Sequence, residues 1–363
     1  MKSLGILCGV GSLLRETEHA GFEVVGNIET RAPYRTGRHL SWDLNYPHVP
    51  LITSPTEALP DAFRDVDVAI GHPPCGSHST LGNSSASRDT MSDTERLAYF
   101  AKRNRYVGML PLFCEYVRTL EPKSFLLDNL PKIMDTSAPP AWWQAQLPDY
   151  NLTFIVMLNW DYGTPQLRQR LWVVGVRRPA PAFVFTPPKG GRLDGPTTML
   201  EAFTGLPWLP WEDVADWGHV HVQPHEMLTG DYRTTIPELS VTRATELGLG
   251  FLSIPPERAW PYQTRTGRIA VKIGRMRGYT DAKSRVVSGL PSIHHPMTGW
   301  PLTPRERARL MSWPDDFHLG NALTPWDRRA QMRLVLFTGK AVPSAFPRYV
   351  LPQLRKHLRR HTR

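Results

Sequence analysis

The run Asp67-Val68-Ala69-Ile70-Gly71-His72-Pro73-Pro74-Cys75 constrains this chain more than any other. Its apolar centre reads as a buried strand. Two consecutive prolines must end that strand, because proline donates no ladder hydrogen bond and fixes φ. The Cys75 thiol is thereby set on a stiff loop at the strand's carboxyl end, where open α/β sheets gather their chemistry. Two readings stand at this point: a held nucleophile, or a small buried hydrophobe, the common fate of an unpaired cysteine.

The surrounding pattern is that of an α/β chain. Ile6-Leu7, then Cys8-Gly9-Val10-Gly11-Ser12, then the helical stretch from Leu13 to Ala20 reads as strand, glycine turn and helix. Glycines there let a ligand approach the backbone at a helix start. A second strand from Gly21 ends on Glu29, about 20 residues on, the spacing at which an acid meets ribose hydroxyls in nucleotide-type sites. A tight turn with an exposed glutamate would look the same.

Asp93 to Leu120 carries apolar residues at helical spacing, with Pro111 predicting a kink or break and Cys114 in the core. Ser124-Phe125-Leu126-Leu127-Asp128-Asn129-Leu130 is another apolar strand that finishes in polar residues. Leu152 to Leu158 and Leu171 to Val176 add two strands, separated by a segment from Gly163 to Arg170. Strands alternating with helices predict a doubly wound, mostly parallel sheet.

Beyond Pro181 periodicity weakens and basic residues gather: Arg265, Arg268, Lys272, Arg275, Arg277, Lys283 and Arg285 form either a phosphate-contacting surface or a solvated face. Regular structure returns at Thr303 to Met311, a helix start with Pro304 in its first turn.

At 363 residues the chain is long enough for one large domain and a smaller one. Its three cysteines, Cys8, Cys75 and Cys114, form no Cys-x-x-Cys pair, so no disulfide framework or metal site is expected and a reducing cytoplasm fits. No apolar stretch approaches a membrane span. Lys and Arg exceed Asp and Glu by 43 to 33, a net +10, and the tail from Arg355 to Arg363 is basic. That balance suits a polyanionic partner, or only a solvated surface and a frayed tail. Oligomeric state is not legible; a monomer is the default expectation.

In this order the pieces resemble the cytosine-C5 DNA methyltransferase family over nearly the whole chain outside about 185 to 295. Cys8-Gly9-Val10-Gly11 is similar to its donor-binding glycine loop, and Pro73-Pro74-Cys75 with Ser79 to its catalytic Pro-Cys loop. Asp128-Asn129-Leu130 resembles its Glu-Asn-Val, and Gln166-Leu167-Arg168-Gln169-Arg170 its Gln-x-Arg-x-Arg. Arg305 to Leu310 with Pro314, Asp315 and Phe317 resembles its ninth motif, and Gly339-Lys340-Ala341-Val342 its closing Gly-Asn-Ala-Val.

The resemblance implies a methyltransferase fold with catalytic segments 1–184 and 296–363 around an inserted target-recognition domain, 185–295. It implies double-stranded DNA as partner and S-adenosylmethionine as donor, held by Cys8, Gly9, Val10, Gly11, Glu29 and Pro73. Cys75 would add to C6 of a flipped cytosine, Asp128 would face N3, and Arg170, with Arg168 nearby, would face O2.

The chain also departs from the family's pattern. Gly5 stands where an acid is usual, Leu7 where a phenylalanine often stacks on adenine, and Gly76 where glutamine follows the nucleophile. The third strand, Leu51-Ile52-Thr53-Ser54, lacks its usual aspartate. Asp128 is one methylene shorter than the usual glutamate. Lys340 replaces an asparagine that lies by the donor's transferable group, where an ammonium repels a sulfonium but would pair with the carboxylate of carboxy-S-adenosylmethionine. The product would be 5-methylcytosine with the first donor and 5-carboxymethylcytosine with the second. A Lys340 side chain in solvent, or a DNA-binding relative without activity, are the duller outcomes.

Overall fold

The computed structural model describes residues 1–29, 41–53, 63–74, 109–166, 168–191, 193–196, 199–205, 261–263, 269–271, 304–319 and 341–362. Cys75 and Lys340 lie outside these described residues, as do the whole basic cluster from Arg265 to Arg285 and Asp93 to Gly108.

Strands β1 (Lys2–Ile6), β2 (Glu23–Ile28), β3 (Leu51–Ile52), β4 (Val68–Gly71), β5 (Ser124–Asn129), β6 (Tyr150–Leu158) and β7 (Gln169–Arg177) form one sheet in the order β3-β2-β1-β4-β5-β7-β6. The first five run parallel, and β7 is antiparallel to both neighbours. The chain reverses at β1: β2 and β3 lie to one side, β4 onward to the other. That is the switch point at whose carboxyl edge ligands bind in such sheets. β7 runs antiparallel to β6 because only a 3₁₀ turn, Asn159–Tyr162, and a short loop join them, too little chain for a parallel crossover.

Alternation along the strands sends side chains into two cores. On one face Val68, Ile70, Leu126, Ile155, Met157, Trp172 and Val174 pack with helix α1 (Ser12–His19) and the last helix. On the other, Leu4, Ile6, Ala69, Phe125, Leu127, Leu171 and Val173 pack with α3 (Met109–Leu120), α2 (Ser41–Asn45) having come before it in the chain. Ile133 of α4 (Ile133–Thr136) and Trp143 of α5 (Pro140–Gln146) close that second core. Pro111 lies within α3, and the segment before Met109, on which the predicted kink or break also bears, lies outside the described residues.

After α6 (Met199–Ala202), β8 (Pro261–Gln263) pairs antiparallel with β9 (Ile269–Val271) in a separate two-stranded sheet within the segment read as the inserted domain. Helix α7 spans Pro304–Leu310, with Thr303 outside the described residues.

The basic tail is not frayed among the described residues: α8 runs Ala345–His361. Val350, Leu351, Leu354 and Leu358 make its buried stripe, at the spacing of one helix face. Its last turn carries Arg359, Arg360 and His361, where cations complement the helix dipole. Arg348 of α8 grips the buried Glu16 of α1 with two nitrogens at 2.8 and 3.0 Å. No helix among the described residues is long and apolar enough to cross a membrane.

Candidate active site

The glycine turn after β1 is a fastened loop. Leu7, Gly9 and Gly11 all have positive φ, 61°, 61° and 86°. At Gly11 a Cβ would also come 2.5 Å from the Tyr46 ring, so only glycine fits. Tyr46 Oη donates to the Gly11 carbonyl at 2.7 Å and its ring stacks on Trp42. The Gly9 N–H donates to Glu29 Oε1 at 2.5 Å, so Glu29, placed at the end of β2 as expected, first serves to tie the loop down.

The Cys8 thiol is buried, donates to the Ile70 carbonyl at 3.1 Å, and is pushed far above the ordinary thiol range by burial and then by the nearby charge of Glu29. It anchors the turn to β4 and carries no thiolate. Val10 is buried beside it.

The absence of an acid at Gly5 has a counterpart one strand away. Gly5 pairs in register with Asn27, and a Cβ on Gly5 would come 2.6 Å from Asn27 Oδ1. The Asn27 carboxamide thus fills the space a side chain at position 5 would need, and its oxygen accepts the Cys8 N–H at 3.4 Å. Asn27 Nδ2 is buried without a hydrogen bond among the described residues. The sequence signal was available only through the register, which pairs the two residues across β1 and β2.

At the carboxyl ends of β4 and β5, alternation decides which side chains meet. His72 continues the face of Val68 and Ile70, Asp128 that of Leu126, and Arg170 that of Trp172 and Val174. All three are buried. His72 Nδ1 lies 2.8 Å from Asp128 Oδ2, and Arg170 Nε lies 3.6 Å from Asp128 Oδ1. Both Asp128 oxygens and all three Arg170 nitrogens are buried without an aligned hydrogen bond among the described residues. Buried polar atoms normally have partners, and catalytic groups are the recurring exception.

Asn129, the next residue, turns to the loop. Its Nδ2 donates to the Pro73 carbonyl at 3.4 Å and its Oδ1 accepts the Leu130 N–H at 2.8 Å. The segment leading to Cys75 is therefore fixed from β5. Asn129 and His72 were not singled out as site residues from the sequence.

The segment before β7 is held by the C-terminal part of the chain. Gln166 Nε2 donates to the Leu310 carbonyl at 2.5 Å and lies 3.3 Å from Met311 Sδ, and Ser312 Oγ donates to Thr164 Oγ1 at 3.0 Å. Arg168 is buried, its Nη1 3.7 Å from Met311 Sδ, and its carbonyl accepts both Asn159 N and Nδ2. Arg305 donates to the Phe317 carbonyl at 2.9 Å, and Arg309 grips Asp315 with two nitrogens. Burial lowers Arg305 and Arg307 to about 10, which leaves both charged at neutral pH. Trp313 Nε1 donates to the Val342 carbonyl at 2.9 Å, fastening the residues just after Lys340.

A glycine turn at the switch point, a proline-stopped strand and a buried carboxylate-guanidinium pair are thus joined in one sheet edge. The family model for C-5 cytosine-specific DNA methylases matches residues 1–354. The chain belongs to that family. It is 25% identical to the type II methyltransferase M.XorII of Xanthomonas oryzae, over 98% of this chain and 85% of that protein. It is 23% identical to the type II methyltransferase M.DdeI of Desulfomicrobium norvegicum, over 94% and 86%.

Among solved structures, an Escherichia coli prophage protein described as a DNA modification methyltransferase superposes with a TM-score of 0.62 at 19% identity, covering 99% of each chain. A Spodoptera frugiperda DNMT2 mutant gives 0.51 at 13%, over 98% and 99%. These likenesses establish the methyltransferase fold. As a C5 DNA methylase family member, the chain is a transferase that draws on S-adenosylmethionine and acts on DNA. Among the described residues no group of His, Cys, Asp and Glu is arranged to hold a metal.

Proposed function

We propose that this enzyme alkylates C5 of a cytosine flipped out of duplex DNA, through a transient bond between Cys75 Sγ and C6. Cytosine C5 is a weak nucleophile, and addition at C6 makes the ring an enamine. The thiolate electron pair forms the S–C6 bond, and the displaced π electrons move toward N3 and O2. Asp128, carrying a proton in the complex, donates it to N3 as that charge develops, and Arg170 faces O2, with Arg168 beside it. After the new bond forms at C5, water takes the C5 proton, the C5–H electrons rebuild the C5–C6 double bond, the sulfur leaves as thiolate, and N3 returns its proton to Asp128. A base inside a duplex cannot be reached, so the target must leave the stack.

One observation carries the reading: Asp128 and Arg170 are buried together with five polar atoms that make no aligned hydrogen bond among the described residues. A cytosine edge offers those partners, with O2 and N3 as acceptors and N4 as donor. Catalytic contacts are often long before substrate arrives.

For the donor, the left-handed glycines and the Glu29 anchor suit an adenosyl group held against Gly9, Val10 and Gly11, with Pro73 bordering it. The donor supplies an electrophilic carbon when bound. S-adenosylmethionine is the first donor proposed. Lys340 favours a second, carboxy-S-adenosylmethionine, whose carboxylate would answer the ammonium and yield 5-carboxymethylcytosine.

DNA incubated with each donor in turn, digested to nucleosides and read by mass spectrometry, tests both. A modified cytosine is expected with at least one donor, and none with either overturns the proposal. Lys340→Asn should move preference toward S-adenosylmethionine; unchanged donor choice removes the second donor.

A further inference from the structure

The proposed reaction leaves the shortened acid unexplained. Aspartate in place of glutamate withdraws the carboxyl by about 1.5 Å, one carbon-carbon bond. General-acid contacts operate within roughly 2.6–3.2 Å, so that difference separates contact from none unless the shorter side chain is held at its full useful reach. A terminal Asp torsion is broad and roughly two-fold, and does not hold itself.

His72 stands where it can supply that hold. Its backbone extends β4 by one residue, with the N–H donating to the Ile6 carbonyl at 3.3 Å, so the ring's place is fixed by the sheet. The side chain is 9% exposed. Nδ1 faces Asp128 Oδ2 at 2.8 Å while Arg170 faces Oδ1 at 3.6 Å, which puts one neighbour on each carboxylate oxygen. At 2.8 Å the ring stands in ion-pair range of Oδ2, and although neither Nδ1 nor Oδ2 makes an aligned hydrogen bond among the described residues, the ring bounds the space in which the carboxyl can turn. The ring follows directly on the buried face of the strand that delivers Pro73 and Pro74. A shift of β4 therefore moves His72 together with Pro73 and Pro74.

We infer that His72 is a positioning residue that acts through Asp128, fixing the carboxyl plane so that an aspartate can serve the N3 edge of the cytosine. This rests on the alkylation mechanism proposed above. His72 and Asp128 form a matched pair: the ring makes up for the missing methylene, and a longer acid would need the ring less.

The test is steady-state transfer to DNA, with kcat and KM separated and melting temperature measured, for wild type, His72→Ala, His72→Asn, Asp128→Glu and the double variant His72→Ala/Asp128→Glu. A carboxyl misplaced by an ångström costs about 100-fold, so His72→Ala should lower kcat by about that factor with KM for DNA little changed. His72→Asn, which keeps a polar group of similar reach beside Asp128 Oδ2, should keep most of kcat. Adding Asp128→Glu to His72→Ala should recover at least a tenfold share.

Wild-type kcat in His72→Ala would overturn the inference. So would a lowered melting temperature with kcat of the folded enzyme unchanged, or a double variant no better than His72→Ala alone. If His72→Ala does not fold, His72→Asn decides: near-wild-type kcat supports the pairing, and a loss of about 100-fold overturns it. Absence of any product from wild type would instead sink the alkylation mechanism itself, and the pairing with it.

Discussion

The glycine turn and the Asp128 cluster lie at the same edge of one sheet, and they are built in opposite ways. At the turn the loop's polar atoms are largely partnered inside the chain: Gly9 N by Glu29, the Gly11 carbonyl by Tyr46, the Cys8 thiol by the Ile70 carbonyl. At the cluster, Asp128 and Arg170 are sealed from water and make no aligned hydrogen bond among the described residues. The first is a finished surface for a donor to rest on. The second resembles half of a hydrogen-bonded assembly that a flipped base would complete, and its charges hold each other meanwhile.

That contrast breaks most visibly at Arg170. Arg170→Met removes the cation and leaves Asp128 as a buried charge without its guanidinium. We expect kcat to fall by about 10²- to 10³-fold, the scale of losing one donor to a developing oxyanion. Stability should fall by about 3–5 kcal/mol as well. Urea unfolding alongside steady-state assays checks both, and retention of full activity would show that the pair has no part at O2.

The donor side should respond differently. Gly11→Ala meets the Tyr46 ring and a left-handed φ of 86°, a conformation that costs an L-residue about 1–2 kcal/mol. Donor KM should rise severalfold while kcat at saturation changes little. A kcat loss with unchanged donor KM would erase the distinction between the two regions.

Much of this was legible in the sequence, and the reason differs by element. The proline stop after β4, the glycine turn and the polar ends of β5 are local signals, and the structure places them at one sheet edge. Asp128 and Arg170 were nominated by motif, and alternation from Leu126 and Trp172 puts them on one face. His72 was passed over because it reads as the end of an apolar run, although the same alternation from Val68 and Ile70 points it inward. Asn27 was beyond reach, since its role depends on pairing with Gly5 in a register no local pattern encodes. The antiparallel β7 was equally hidden: strand direction depends on the connection, and the loop before β7 is shaped by contacts with Leu310 to Ser312, more than a hundred residues away. The inserted domain was read from the family resemblance together with a loss of periodicity, and within it the structure describes residues 185–191, 193–196 and 199–205, with helix α6, and the short β8–β9 sheet.

The smallest expected effect concerns the two cysteines assigned to packing. Burial raises Cys114 from 9.0 to about 12, and Cys8 rises further still. Well below pH 9 both remain protonated whether the chain is folded or not. As pH climbs from 9 toward 12 the unfolded thiols ionise first, so stability should decline across that window. At pH 8, iodoacetamide should label Cys75 and spare Cys8 and Cys114 until the protein is unfolded. Rapid native labelling of Cys8 would contradict its place under the glycine turn.

The most direct test of the covalent route uses duplex DNA in which target cytosines carry fluorine at C5, supplied together with the productive donor. Fluorine cannot leave as a proton does, so the sulfur should remain bonded to C6, giving a complex that survives denaturation and maps by peptide mass spectrometry to Cys75. Continued turnover on ordinary DNA with no trapped complex, or with the adduct on any other residue, would contradict the account.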